Sequence, residues 1–168
     1  MAIPFSLRIT TWQLVARPKI VAVEDAQTFV ESIVDDLHAS SLGVKGSSLF
    51  FNDLPETAAL PCTAVRDMGG IPSHDRAPWL EVRFTIRGAT WESARQHAAR
   101  VFNHFHGATS KNITGYRILA AVATSMPAAL GEDLNRRHLC GFSMKFRASA
   151  NDQTAENVGF GGKRDPNG

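Results

Sequence analysis

The chain has 168 residues, 43% of them hydrophobic, which suffices for one ordinary core and is too little to divide into two. Its 18 Lys and Arg are interspersed with 16 Asp and Glu for a formal charge of +2, and no run of like charge is long enough to grip a phosphate backbone. No stretch approaches the ~20 apolar residues that span a bilayer, and Arg8, Thr10, Thr11 and Gln13 interrupt the apolar run a leader would need, so composition predicts a soluble protein that stays inside the cell making it.

Phe5, Leu7 and Ile9 alternate with polar residues until Arg17-Pro18, which predicts an N-terminal strand or docking arm over 1–22. Ala26, Phe29, Val30, Ile33, Val34 and Leu37 then recur at helical spacing with Gly43 just beyond, predicting an amphipathic helix over 24–40. Its polar side carries Glu24, Asp25, Glu31, Asp35 and Asp36 and no Lys or Arg. Two short apolar runs, 48–51 and 59–65, flank the turn-forming Asn52-Asp53-Leu54-Pro55 and read as a pair of strands.

Gly69-Gly70, Pro72 and Pro78 bracket a loop holding Ser73, His74, Asp75 and Arg76, which partners are expected to order. Beyond it Leu80, Val82, Phe84 and Ile86 alternate with Glu81, Arg83, Thr85 and Arg87, a strand with one core face and one polar face that meets water or a neighbouring subunit. Thr90 is the expected N-cap of a second helix, with Glu92 in its first turn, a buried stripe of Ala94, Ala98, Val101, Phe102 and Phe105, and Gly107 as its stop. A block that starts near Tyr116–Leu119 and runs toward Ser125-Met126-Pro127, and the alternating run Cys140 to Phe146, read as neighbouring antiparallel strands with a long connection. From about 150 onward little can be buried, which predicts a flexible polar tail over 150–168. The expected architecture is α+β, a mostly antiparallel sheet flanked by two amphipathic helices in a single domain over 23–149, with extended N- and C-terminal arms.

The chain offers little chemistry. Cys62 and Cys140 lack any knuckle or redox spacing, and no pair among His38, His74, His97, His104, His106 and His138 has the i, i+4 spacing that sets two imidazoles on one helix face, so no metal site is expected and solvated or capping histidines are. Ser73-His74-Asp75 has the residue types of a hydrolytic triad, but adjacent loop residues do not line up nucleophile, base and orienter. The paired carboxylates Asp35-Asp36 and Glu132-Asp133 point in different directions and build no acid/base couple. GFGGK near the end lacks the rest of a phosphate loop. Trp12, Trp79, Trp91, Phe50 and Phe51 are read as ordinary packing and not as base-stacking platforms. No catalytic residue and no cofactor follow.

Four stretches nevertheless carry a family likeness: LFFNDLPETAALPCTAVRDMGG, IPSHDRAPWLEVRFTIRG, the helix ATWESARQHAARVFNHFHG, and the pair GYRILAAVATS and LCGFSMKFRAS. In this order, from about Leu49 to Ser149, the chain resembles the phage minor capsid and tail-terminator proteins, whose lambda-type members close the head-proximal end of a siphophage tail. The resemblance implies a homo-oligomeric ring of six copies in the virion, assembled in the host cytoplasm, stacked on the tail tube protein and facing a head-completion or neck protein, with DNA passing through without specific binding. It implies neither catalysis nor a cofactor, and it involves no membrane. On that reading Glu81, Arg83, Arg87, His74, Asp75 and Arg76 are interface candidates, and Glu24, Glu31 and Asp35 are candidates for an acidic lumen, where like charge keeps phosphates from adhering. Another neck or tail-completion component, a small enzyme around His74, Asp75 and Arg76, and a nucleic-acid module using Arg83, Arg87 and Arg95 are the alternatives.

Overall fold

A computed structural model describes residues 23–71 and 77–150. The expected N-terminal strand or arm, the loop residues His74, Asp75 and Arg76, and the tail beyond Ala150 lie outside the described residues. The remainder is α+β, with two helices and a mostly antiparallel sheet of seven strands.

Helix α1 spans Val23–Ala39. It ends four residues before Gly43, because Ser41 takes the left-handed conformation at φ 58° and the Leu42 amide bonds the Leu37 carbonyl. Strands β1 (Leu49–Phe51) and β2 (Cys62–Ile71) do pair, but in parallel. The segment 52–61 therefore returns along the strand instead of making a hairpin turn. Strand β2 also runs through Gly69-Gly70, where a loop is expected, with its register shifted between Asp67 and Gly70. Gly70 is needed there, since a Cβ would sit 2.5 Å from the Trp79 carbonyl oxygen.

Strand β3 (Trp79–Gly88) leads into α2 (Trp91–Phe105). The Thr90 hydroxyl caps the helix by accepting from the Ser93 amide, and Glu92 lies in the first turn as expected. Gly88 allows this tight junction: a Cβ would lie 2.6 Å from the Ala94 nitrogen. The chain ends in β4 (Lys111–Ile113), β5 (Tyr116–Ala123), β6 (Ala128–Glu132) and β7 (His138–Ala150), with β5 and β7 antiparallel neighbours. The sheet order is β1-β2-β3-β7-β5-β4, with β6 continuing beside β7.

Both helices lie on one face of this sheet. Leu80, Val82, Phe84 and Ile86 share one core with Ala98, Val101, Phe102 and Phe105. Phe84 stacks on Phe142 at 4.8 Å and approaches Phe105 at 6.0 Å. From α1, Phe29 reaches Phe146 at 5.6 Å and Tyr116 at 5.2 Å. No described helix covers the other face, so the expected polar face of β3 belongs to a wide surface contributed by β2, β3, β7 and β5.

Candidate functional site

The open face is built by register. Arg66 on β2 lies directly opposite Arg83 on β3, and Arg83 lies opposite Ser143 on β7. One pleat along, Glu81 faces Lys145, which in turn faces Val122 on β5. Side chains opposite each other in an antiparallel pair share a face, so two guanidinium groups stand side by side. Asp53 takes Arg66 at 2.6 Å, and Glu81 approaches Lys145 at 3.9 Å. Arg83 is exposed, with no acidic partner among the described residues. It lines an open hollow of about 450 Å³ together with Arg66, Asn52, Asp53 and Leu130.

One end of this face is closed. Arg87, expected on the polar face as an interface group, is instead 4% exposed. The segments 52–56 and 133–137 fold over it: its guanidinium donates to the carbonyl oxygens of Leu54 and Pro55 and lies 3.5 Å from Asp133. Asp133 also accepts from Arg137 at 2.7 Å, and Arg137 donates to the Glu56 carbonyl at 2.6 Å. Burial acts to raise the Asp133 pKa, but the amide and guanidinium donors of Arg137 and the Asn135 amide outweigh it and hold the carboxyl below its ordinary range. Arg87 thus fastens a loop to the sheet inside the protomer, which alternation alone could not reveal.

The acidic side of α1 is less acidic in space than in sequence. Glu31 is exposed and Asp35 is bound by Lys45 at 2.7 Å. Asp36 accepts from Lys111 at 2.7 Å, and His104 Nε2 lies 2.7 Å from the same oxygen. Burial would raise the Asp36 pKa, yet these partners on α2 and β4 win and lower it. Of the lumen candidates, Glu31 forms no direct ion pair among the described residues although the Lys45 charge reaches it, Asp35 is paired with Lys45, and the side chain of Glu24 lies outside the described residues.

The other titratable groups are structural. His97, expected to be solvated or capping, is buried with Nε2 3.1 Å from the Thr63 hydroxyl; burial, then nearby Arg100, lowers its pKa. Cys62 lies across from Arg87 and Cys140 across from Ile86, on opposite faces of the sheet, and burial pushes both thiols up. Arg95 stands on α2, away from Arg83 on the open face. Among the described residues no group of three or more His, Cys, Asp and Glu could hold a metal ion, and no helix is long and apolar enough to cross a membrane. Trp91 and Phe51 are exposed and not packed as expected.

Residues 36–150 match the family described as bacteriophage tail terminator protein. No curated protein matches the chain. Among solved structures, the chain is similar to one from the virion of the native gene transfer agent particle, with a TM-score of 0.58 and 12% identity over 76% of this chain and 98% of that one. At that identity the likeness shows the fold.

Proposed function

Because the chain belongs to the bacteriophage tail terminator family, we propose that it is a structural, non-catalytic virion protein that assembles into a hexameric ring, ends the tail tube and joins it to the head-neck complex. It is assembled in the host cytoplasm, touches the tail tube protein on one side and a head-completion protein on the other, and lets DNA pass without specific contacts. The unit that does this is the single domain over 23–149, with 1–22 and 150–168 as arms. The observation that carries the reading is the family match over residues 36–150, within which the described helices cover only one face of the sheet. A subunit that worked alone would have little use for a second face this broad and patterned; a subunit of a ring needs surfaces for its neighbours. Glu81 and Arg83, on that face, remain interface candidates, as do His74, Asp75 and Arg76.

The test is genetic and physical together. A phage lacking this protein should assemble tails of uncontrolled length that do not join heads, and antibody labelling should place the protein at the head-proximal tail end. Tails of normal length that mature into infectious particles without it would refute the assignment.

A further inference from the structure

The open face carries more than basic groups. Met68 is 51% exposed, Ile71 62% and Val122 50%, and all three lie on the uncovered side: Met68 and Ile71 line a second hollow with Glu81 and Lys145, and Val122 stands opposite Lys145. Asp53 offsets the charge of Arg66, whereas Arg83 directly opposite has no acidic partner among the described residues, so an anion from outside would find Arg83 free to receive it. Arginine interleaved with methionine and branched aliphatics is the composition of a protein interface. A phosphate backbone would reward the arginines and have no use for Met68, Ile71 and Val122.

A second, complementary surface lies on the far side of the same layer. On α1 Asp35 is held by Lys45 and Asp36 by Lys111 with His104, which leaves Glu31 as an exposed carboxylate with no cationic partner at bonding distance among the described residues. Two copies of Arg83 brought together about a twofold axis would repel. Arg83 meeting Glu31 of the next copy attracts, and such a contact between two different surfaces on opposite sides of a subunit can close into a ring.

We propose that the open sheet face is the docking surface for a second copy of this chain, with Arg83, beside Arg66, receiving Glu31 of that copy's α1 while Met68, Ile71 and Val122 are covered. This rests on the ring reading and assigns its faces.

The experiment uses the full-length chain and light scattering after size exclusion, at low and high salt. Arg83→Glu and Glu31→Arg should each lower the assembled mass to that of single copies with the thermal midpoint unchanged, and the two together should restore assembly. Val122→Glu, which leaves the arginines alone, should also dissociate it. If wild-type protein forms rings and all three single variants do so equally, the ring reading stands and this assignment of faces fails. If no ring forms from wild-type protein, alone or on tail tubes, the ring reading itself fails. If Arg83→Glu assembles normally but loses retention of a labelled DNA duplex, the face belongs to nucleic acid and the proposal is overturned.

Discussion

The two faces of the sheet share backbone, strands and register, yet they follow opposite rules. On the covered face Phe84, Phe142 and Phe146 interlock with Phe29, Phe102 and Phe105 from the helices, with ring centroids 5.5–6.0 Å apart. On the open face Arg66, Arg83 and Lys145 alternate with exposed aliphatic side chains. The covered face specifies a shape and is satisfied within one chain. The open face is tied down within the chain at the Arg87 end, and elsewhere it leaves charged and aliphatic side chains exposed.

Mutations can break this contrast in order of size. Phe84→Ala removes a fully buried ring from the middle of the covered face and should cost on the order of 3–5 kcal/mol by chemical denaturation; a loss under about 1 kcal/mol would mean that the aromatic interlock is not what holds the layers. Arg87→Ala tests the closed end of the open face. It strips the Leu54 and Pro55 carbonyls of their donor and should cost on the order of 1–3 kcal/mol, with faster proteolysis between 52 and 57. If stability and proteolysis stay as in the wild type, the loop is fastened by something other than Arg87.

A smaller effect comes from His97. Its folded pKa lies below the ordinary 6.5, so beneath about pH 6.5 the unfolded chain binds a proton that the native one does not, and stability falls as pH drops through that window. His97→Gln should flatten the slope of unfolding free energy between pH 7 and 5, and an unchanged slope would point elsewhere. Smallest of all, Arg83→Ala should change the stability of the isolated protomer by no more than about 0.5 kcal/mol, in either direction, although it lies one residue from Phe84. A loss comparable to that at Phe84 would erase the distinction between the faces.

What the sequence revealed follows the same divide. Period-two and helical spacing located β3, α2 and their shared core, because burial on one side leaves a mark on every second or every third to fourth residue. The Thr90 cap was legible for a similar reason: a hydroxyl before an amphipathic run has one common use. Strand β6, Ala128–Glu132, is exposed at every position and leaves no alternation to read. The parallel pairing of β1 with β2 was hidden because turn-forming residues at 52–55 mark a bend without saying where the chain goes afterwards. Arg87 read as an open-face residue because alternation reports the side of the sheet, not the loop that covers it. Among site residues the sequence placed Glu81 and Arg83 on one surface, but the pairing of Arg83 with Arg66 is a fact of register between strands and needs three dimensions.

The long strand β7 bears on when the protein can be made as well as on what it is. It supplies the central partner of β3 and of β5, so the sheet stays in two pieces until residues 138–150 leave the ribosome. Bacterial synthesis at the upper end of about 5–20 residues per second makes that wait, counted from Gly88 to His138, roughly 3 s, and slower synthesis stretches it toward roughly 10 s. Throughout it the edge of β3 is bare, and its Glu81 and Arg83 are the charges that discourage another nascent chain from pairing there. The same delay keeps the open face incomplete on every unfinished chain, so anything that docks there meets a finished surface only once the last strand is in place.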